Sequence, residues 1–127
     1  MDDFYRDYIL DHYKNPRNFG TLEPHDLEHH DHNPLCGDEL GVHLVVAEDG
    51  TIENLRFHGQ GCAISQASAS IASEELIGMR ADDVVSLDAD WVIELLGIDI
   101  SPTRRKCALL SLKVMRGATA GDASWPE

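Results

Sequence analysis

Residues 40 to 58 admit few folds. Leu40, Val42, Leu44 and Val46 recur with the two-residue period of a half-buried strand over Leu40–Ala47. Glu48-Asp49-Gly50 then supplies a turn, with glycine where a positive φ is needed. A return strand follows from about Thr51 to His58, with Leu55 and Phe57 on one face and Arg56 and His58 on the other. Ile52 is out of phase with Leu55, which predicts a bulge near Glu53-Asn54. A hairpin with one apolar face is not stable alone, so helices must cover that face.

The flanking sequence supplies them. Residues 2 to 13 have Tyr5, Tyr8, Ile9 and His12 at helical spacing and end at Asn15-Pro16. Here His12 is read as a hydrogen-bonded residue of the helix face. After Gly59-Gln60-Gly61-Cys62, an Ala- and Ser-rich helix is expected over Ala63–Ile77, with Gly78 at its end. Short helices are expected over Ala81–Leu87 and from Asp88 or Asp90 to Leu96. The last helix is placed at Thr103–Arg116, with Ser101-Pro102 as its start signal and Gly117 as its cap. The expected fold class is α/β (α+β), a small antiparallel sheet covered on one side by helices. At 127 residues it makes one domain, 1–117, with a flexible tail at 118–127.

Charge narrows the function. A net charge of −13 argues against nucleic acid as a partner, because phosphate contacts need a basic surface. No apolar run approaches a membrane span, and Met1-Asp2-Asp3 is acidic where a signal peptide would be basic. The expected location is therefore the cytoplasm, with no membrane partner. Half of the ten Lys and Arg residues fall between Arg104 and Arg116, leaving one basic patch on an acidic molecule. Lys113 and Arg116 read at least as well as a solvated helix face.

The stretch from Thr21 to Asp31, with His25, His29, His30 and His32 close by, reads as a solvated polar loop rather than a ligand set. Its spacing matches no closed metal site; an irregular edge strand is the other option.

Three cysteines, an odd number, make a poor disulfide framework and leave core packing, metal ligation or thiol chemistry. Cys36 precedes the hairpin in Asn33-Pro34-Leu35-Cys36-Gly37-Asp38, which sets a carboxylate two residues from a thiol across a glycine. Cys62 falls at a helix start, where free N–H groups and the dipole favour a thiolate. Cys107 falls inside the last helix. Convergence of these elements would assemble three sulfurs and one carboxylate, a set suited to zinc or to iron with sulfide. Arg104, Arg105 and Lys106 would offset its negative charge. Taken singly, Cys107 reads more readily as core than as a ligand, Cys62 as a packed helix start, and Cys36-Gly37-Asp38 as a turn with the aspartate bonding backbone.

Four stretches together resemble a known family: Asp11-His12-Tyr13-Lys14-Asn15-Pro16-Arg17-Asn18, Asn33-Pro34-Leu35-Cys36-Gly37-Asp38, Gly59-Gln60-Gly61-Cys62-Ala63-Ile64-Ser65 and Arg105-Lys106-Cys107-Ala108. In this order they resemble the iron–sulfur cluster assembly scaffolds, the IscU, SufU and NifU amino-terminal-domain proteins, from Tyr5 to about Met115. The resemblance implies that Cys36, Asp38, Cys62 and Cys107 hold a transient iron–sulfur cluster, or zinc in the isolated protein, and that the three cysteines accept sulfur. It implies a pyridoxal-phosphate cysteine desulfurase as donor, and apo iron–sulfur proteins or downstream cluster carriers as recipients. The aspartate is expected to keep the cluster labile, as weak oxygen ligation beside thiolates would.

Two departures from the IscU branch point to the SufU branch. Lys106 stands where the IscU branch has histidine, and Ser101-Pro102-Thr103-Arg104 does not reproduce its Leu-Pro-Pro-Val-Lys loop. The insertion usual in SufU proteins between the second and third cysteines is absent. A zinc-dependent sulfur acceptor, with Cys36 or Cys107 taking the persulfide, is therefore the alternative to a scaffold that is no classical enzyme. A structural zinc domain is the third reading; Asp38 is an unusual ligand for a closed site of that kind.

Overall fold

A computed structural model describes the backbone of residues 3–35 and 37–127, and side chains at 6–35 and 37–127. Among the described residues the order is α1 (Asp3–Lys14), β1 (Leu27–Asn33), β2 (Asp38–Val46), β3 (Ile52–Gln60), α2 (Ala63–Leu76), a 3-10 helix (Ala81–Ser86), α3 (Ala89–Leu96) and α4 (Arg105–Ala120). The strands form an antiparallel sheet in the order β1-β2-β3.

The hairpin forms as its alternation requires. Leu40, Val42 and Leu44 of β2, with Leu55 and Phe57 of β3, lie at most 1% exposed beneath the helices. Val45 pairs with Asn54 and Val46 with Ile52, so Glu53 is the extra residue of a bulge that returns Ile52 to the core. The histidine-rich segment, expected as a loop, supplies the third strand. Its inward residues are Leu27, His29, Asp31 and Asn33, and the last three are polar, which hides the apolar alternation that marks a strand.

The Ala- and Ser-rich sequence of α2 reflects its central position. It packs against α1, α3, α4 and β3, and Ser65 through Ser73 are all buried. Small side chains permit that close approach, and hydroxyls satisfy one another or backbone: Ser68 Oγ donates to the Ala108 carbonyl at 2.7 Å and lies 2.9 Å from Ser111 Oγ.

The helices after α2 follow expectation except at the two ends of α4. The short helix expected over Ala81–Leu87 is a 3-10 helix, Ala81–Ser86. Ser101-Pro102 does not cap α4: Ser101 Oγ turns to Thr103 Oγ1, Arg104 N–H closes a turn on the Ser101 carbonyl, and the helix starts at Arg105. Gly117 lies inside α4, which ends at Gly121 with φ 69°. A Cβ at Gly117 would meet His29 Cδ2 at 2.5 Å, so this glycine serves close packing against β1 rather than termination. The boundary drawn at 117 thus falls within the helix. Beyond it Trp125 packs on the core, and the Glu127 carbonyl accepts the Ala89 N–H at 3.0 Å.

Candidate metal and thiol site

Asp38, Cys62 and Cys107 come from three different elements to one corner. Asp38 opens β2, Cys62 is the N-cap residue of α2, and Cys107 is the third residue of α4. One carboxylate oxygen and the two sulfurs all lie within 4.8 Å of one another. Asp38 and Cys107 are each 1% exposed, while Cys62 is partly open. Ligand atoms at about 2.0 Å (O) and 2.3 Å (S) from a tetrahedral ion stand about 3.5–3.8 Å apart. Asp38 Oδ2 lies 3.8 Å from Cys62 Sγ. By chemistry and spacing, this donor set fits a thiophilic metal.

The carboxylate is held by the chain it faces. Asp38 Oδ1 accepts the Cys62 N–H at 2.8 Å, which leaves Oδ2 turned toward the sulfurs. That approach needs Gly61, where a Cβ would meet Asp38 Oδ1 at 2.5 Å and Ser65 Oγ at 2.6 Å. Gly37, at φ 73°, lets the chain turn into β2. Asp38 therefore combines the two roles its sequence position suggested, bonding backbone and facing the thiols.

Cys107 sits in the first turn of α4 rather than in the helix interior, because the helix begins two residues later than expected. The positive ends of α2 and α4 therefore both face the donor set. Asn33, buried at the end of β1, extends Nδ2 toward Cys107 Sγ at 3.9 Å; its Oδ1 accepts the Leu35 N–H and its carbonyl the Gly37 N–H. In the sequence Asn33 stands out only as the first residue of the stretch that carries Cys36 and Asp38. Cys36, the third expected thiolate, lies outside the described residues.

The basic patch divides. Arg104, Arg105 and Lys106 are exposed, with the Lys106 ammonium 5.1 Å from the centre of the Trp125 ring. Lys113 and Arg116, read as a solvated face, are instead largely buried and paired with Asp31 and Asp122. Burial pushes the Asp31 carboxyl up, but hydrogen bonds from Lys113, the His32 N–H and His29 outweigh it and hold it below its ordinary range.

A second group of possible ligands lies on the outer face of the sheet. Glu23, His25 and His43 bring a carboxylate oxygen and two ring nitrogens within 4.8 Å of one another, and Glu28 lies 3.6 Å from His25 Nε2 and 3.8 Å from His43 Nε2. Its geometry is poorer. The two imidazoles stack 3.8 Å apart at 11°, so their in-plane lone pairs run in parallel planes and do not meet at one ion. His43 Nδ1 accepts the Leu22 N–H at 3.1 Å, so the neutral ring carries its proton on Nε2. Glu28 and His43 meet through strand register, which their spacing in sequence does not reveal.

His12 is structural, as its helix position suggested. It is 2% exposed, its Nδ1 lies 2.7 Å from Ser70 Oγ, and the same hydroxyl accepts the Arg17 N–H at 2.9 Å. Asn18 Nδ2 donates to Ser73 Oγ at 3.0 Å. The stretch from His12 to Asn18 thus fastens α1 to α2. Burial pushes the His12 imidazole below its ordinary range, helped by Arg17 and opposed by Glu74 and Asp11.

Known proteins resemble this chain along most of its length. The family model described as NifU-like N terminal domain matches residues 4–121. The zinc-dependent sulfurtransferase SufU of Bacillus subtilis (strain 168) is 35% identical, over 96% of this chain and 93% of that protein. The iron–sulfur cluster assembly scaffold protein IscU of Thermotoga maritima is 34% identical, over 90% of this chain and 91% of that one. Among solved structures, FiSufU of Fervidobacterium islandicum AW-1 superposes with a TM-score of 0.73 at 27% identity, covering 88% of this chain and 93% of its own.

Proposed function

The chain belongs to the NifU-like N-terminal domain family, and from that premise we propose that it is a scaffold for iron–sulfur cluster assembly. Its cargo is a cluster held by Cys36, Asp38, Cys62 and Cys107 and passed to apo-proteins or cluster carriers. The observation that carries the reading is the meeting of one carboxylate and two thiols from β2, α2 and α4 within 4.8 Å. Sulfur arrives from a cysteine desulfurase in the cytoplasm. A scaffold thiolate attacks the outer sulfur of the donor's persulfide, taking that sulfur and releasing the donor's thiolate.

What this chain contributes is placement. The Cys62 N–H fixes one oxygen of Asp38, and the other faces the sulfurs. Oxygen is the weaker partner for a thiophilic ion, so the cluster is held on one side by the ligand that gives way most easily. Anaerobic incubation with iron(II), cysteine, a desulfurase and a dithiol, which supplies the electrons that reduce persulfide sulfur to sulfide, should give visible cluster absorbance that moves to an apo-ferredoxin. A wild-type protein that gains neither absorbance nor sulfide would overturn the proposal.

A second reading is a zinc-dependent sulfur acceptor. It is favoured by Lys106 ahead of Cys107 and by the resemblance to the SufU of Bacillus subtilis. Here the same four residues would hold zinc, which keeps sulfurs as thiolates, and Cys36 or Cys107 takes the persulfide. One tightly bound zinc per chain and faster desulfurase turnover would support it. Turnover unchanged by this protein would count against it.

A further inference from the structure

Asn33, 1% exposed at the end of β1, is placed against the thiol corner by the packing of β1 on α4. Inward positions of a strand recur about every 6.6 Å, a little more than one helical turn. His29 lies against Gly117, Asp31 pairs with Lys113, and Asn33 reaches Cys107, so strand and helix run side by side in opposite directions. Strand register sets the same asparagine opposite Asp38.

The orientation of its amide follows from its bonds. Oδ1 accepts the Leu35 N–H at 3.2 Å, which leaves the amino group facing Cys107 Sγ at 3.9 Å. The Asn33 carbonyl accepts the Gly37 N–H at 2.9 Å and closes the turn into β2. Aspartate or serine could also accept the Leu35 N–H, since all three side chains serve such turns. Neither would turn an N–H toward sulfur. Aspartate would set a further anion against the thiols, and serine is too short. The turn accounts for an acceptor at position 33, and the sulfur accounts for the donor. A metal-bound thiolate carries charge, and hydrogen bonds to charged acceptors are the shorter and stronger ones, so such a sulfur would draw the amide in.

We propose that Asn33 is a positioning residue of the metal site, donating an amide N–H to the Cys107 sulfur. Both the hold of the site on a metal ion and the electron density on that sulfur then depend on it. The inference rests on the thiol metal site that both readings above share. It goes beyond them by giving one of the thiolates a polar partner from outside the ligand set.

Cobalt(II) is the probe, because sulfur-to-cobalt charge transfer reports on the sulfur itself. Anaerobic titration against a competing chelator gives the affinity, and thermal melts of the metal-free proteins check the fold. Asn33→Ser keeps an acceptor for the Leu35 N–H and removes the amide donor without changing charge. Asn33→Asp keeps the shape and replaces the donor by an acceptor. Both variants should bind cobalt(II) about tenfold or more weakly than wild type, with Asn33→Asp the weaker. In both, the charge-transfer band should move to lower energy, because a sulfur that loses a hydrogen bond releases electron density more readily. The metal-free melt of Asn33→Ser should stay near wild type. Bands unmoved in both variants would reduce Asn33 to a turn residue and overturn the proposal, whatever the melts and affinities do. An Asn33→Asp variant that binds at least as tightly as wild type would also overturn it. Either result leaves the proposed function standing. Wild type that binds cobalt(II) without sulfur charge transfer would remove the thiol metal site itself, and this inference with it.

Discussion

Two corners of this protein gather side chains of the kinds that can ligate metals, and they differ in what holds them. Asp38, Cys62 and Cys107 are largely withdrawn from water, and a backbone N–H fixes one carboxylate oxygen while the other faces the sulfurs. Glu23, His25 and His43 meet on the outer face of the sheet, where the rings stack and the Leu22 backbone occupies both Nδ1 atoms. Proximity is common to both. The stacked rings keep the second from presenting its lone pairs to one ion, which favours the first as the proposed metal site.

The sharpest way to break this comparison is to delete each corner in turn. Replacing Cys62 and Cys107 together by serine should reduce zinc in the purified protein from about one per chain to about none, because serine is a poor zinc ligand. The His25→Ala/His43→Ala variant should keep its zinc. Metal analysis of the two variants side by side decides, and zinc lost from the histidine variant alone would reverse the assignment.

A smaller effect is expected at Gly61. In Gly61→Ala the added methyl must displace the Asp38 carboxylate or the Ser65 hydroxyl. We expect a cost of about 1–3 kcal/mol, as for overpacking, divided between metal affinity and folding. Competition with a zinc chelator, read beside a thermal melt, separates the two. Unchanged values in both would show that the carboxylate is not held as described.

The smallest effect concerns the α1–α2 seam, remote in role from either corner. His12 is held below its ordinary value of 6.5, so below that pH the unfolded chain takes up a proton that the folded one resists. Stability therefore falls as pH drops from about 6.5, by at most about 1.4 kcal/mol per pH unit from this group. Asp31 adds a loss at lower pH, as acid protonates a carboxylate whose value lies below 3.8 when folded. Denaturant titrations from pH 7.5 to 5.0 should show the first slope in wild type and a flatter one in His12→Asn. Identical slopes would remove His12 as its source.

Much of the fold was legible in the sequence because the hairpin alternates cleanly; the phase of Ile52 even located the bulge at Glu53. The edge strand was obscured because His29 and Asp31 face inward to meet Gly117 and Lys113, so burial there follows packing and ion pairing rather than apolar pattern. Lys113 and Arg116 misled for a related reason: charge alone does not reveal a partner 82 residues away, as Asp31 is for Lys113. Asp38, Cys62 and Cys107 were legible as a set, but their convergence was not, since no local rule brings β2, α2 and α4 to one point. The start of α4 at Arg105 was also hidden, and with it the place of Cys107 in a first turn.

X-ray absorption at the zinc edge of the protein purified without added metal tests the assignment most directly. We expect sulfur neighbours at about 2.3 Å and one lighter neighbour at about 2.0 Å, without the outer-shell scattering of imidazole. A nitrogen-dominated shell carrying imidazole scattering would place the metal on the outer face of the sheet and contradict the assignment.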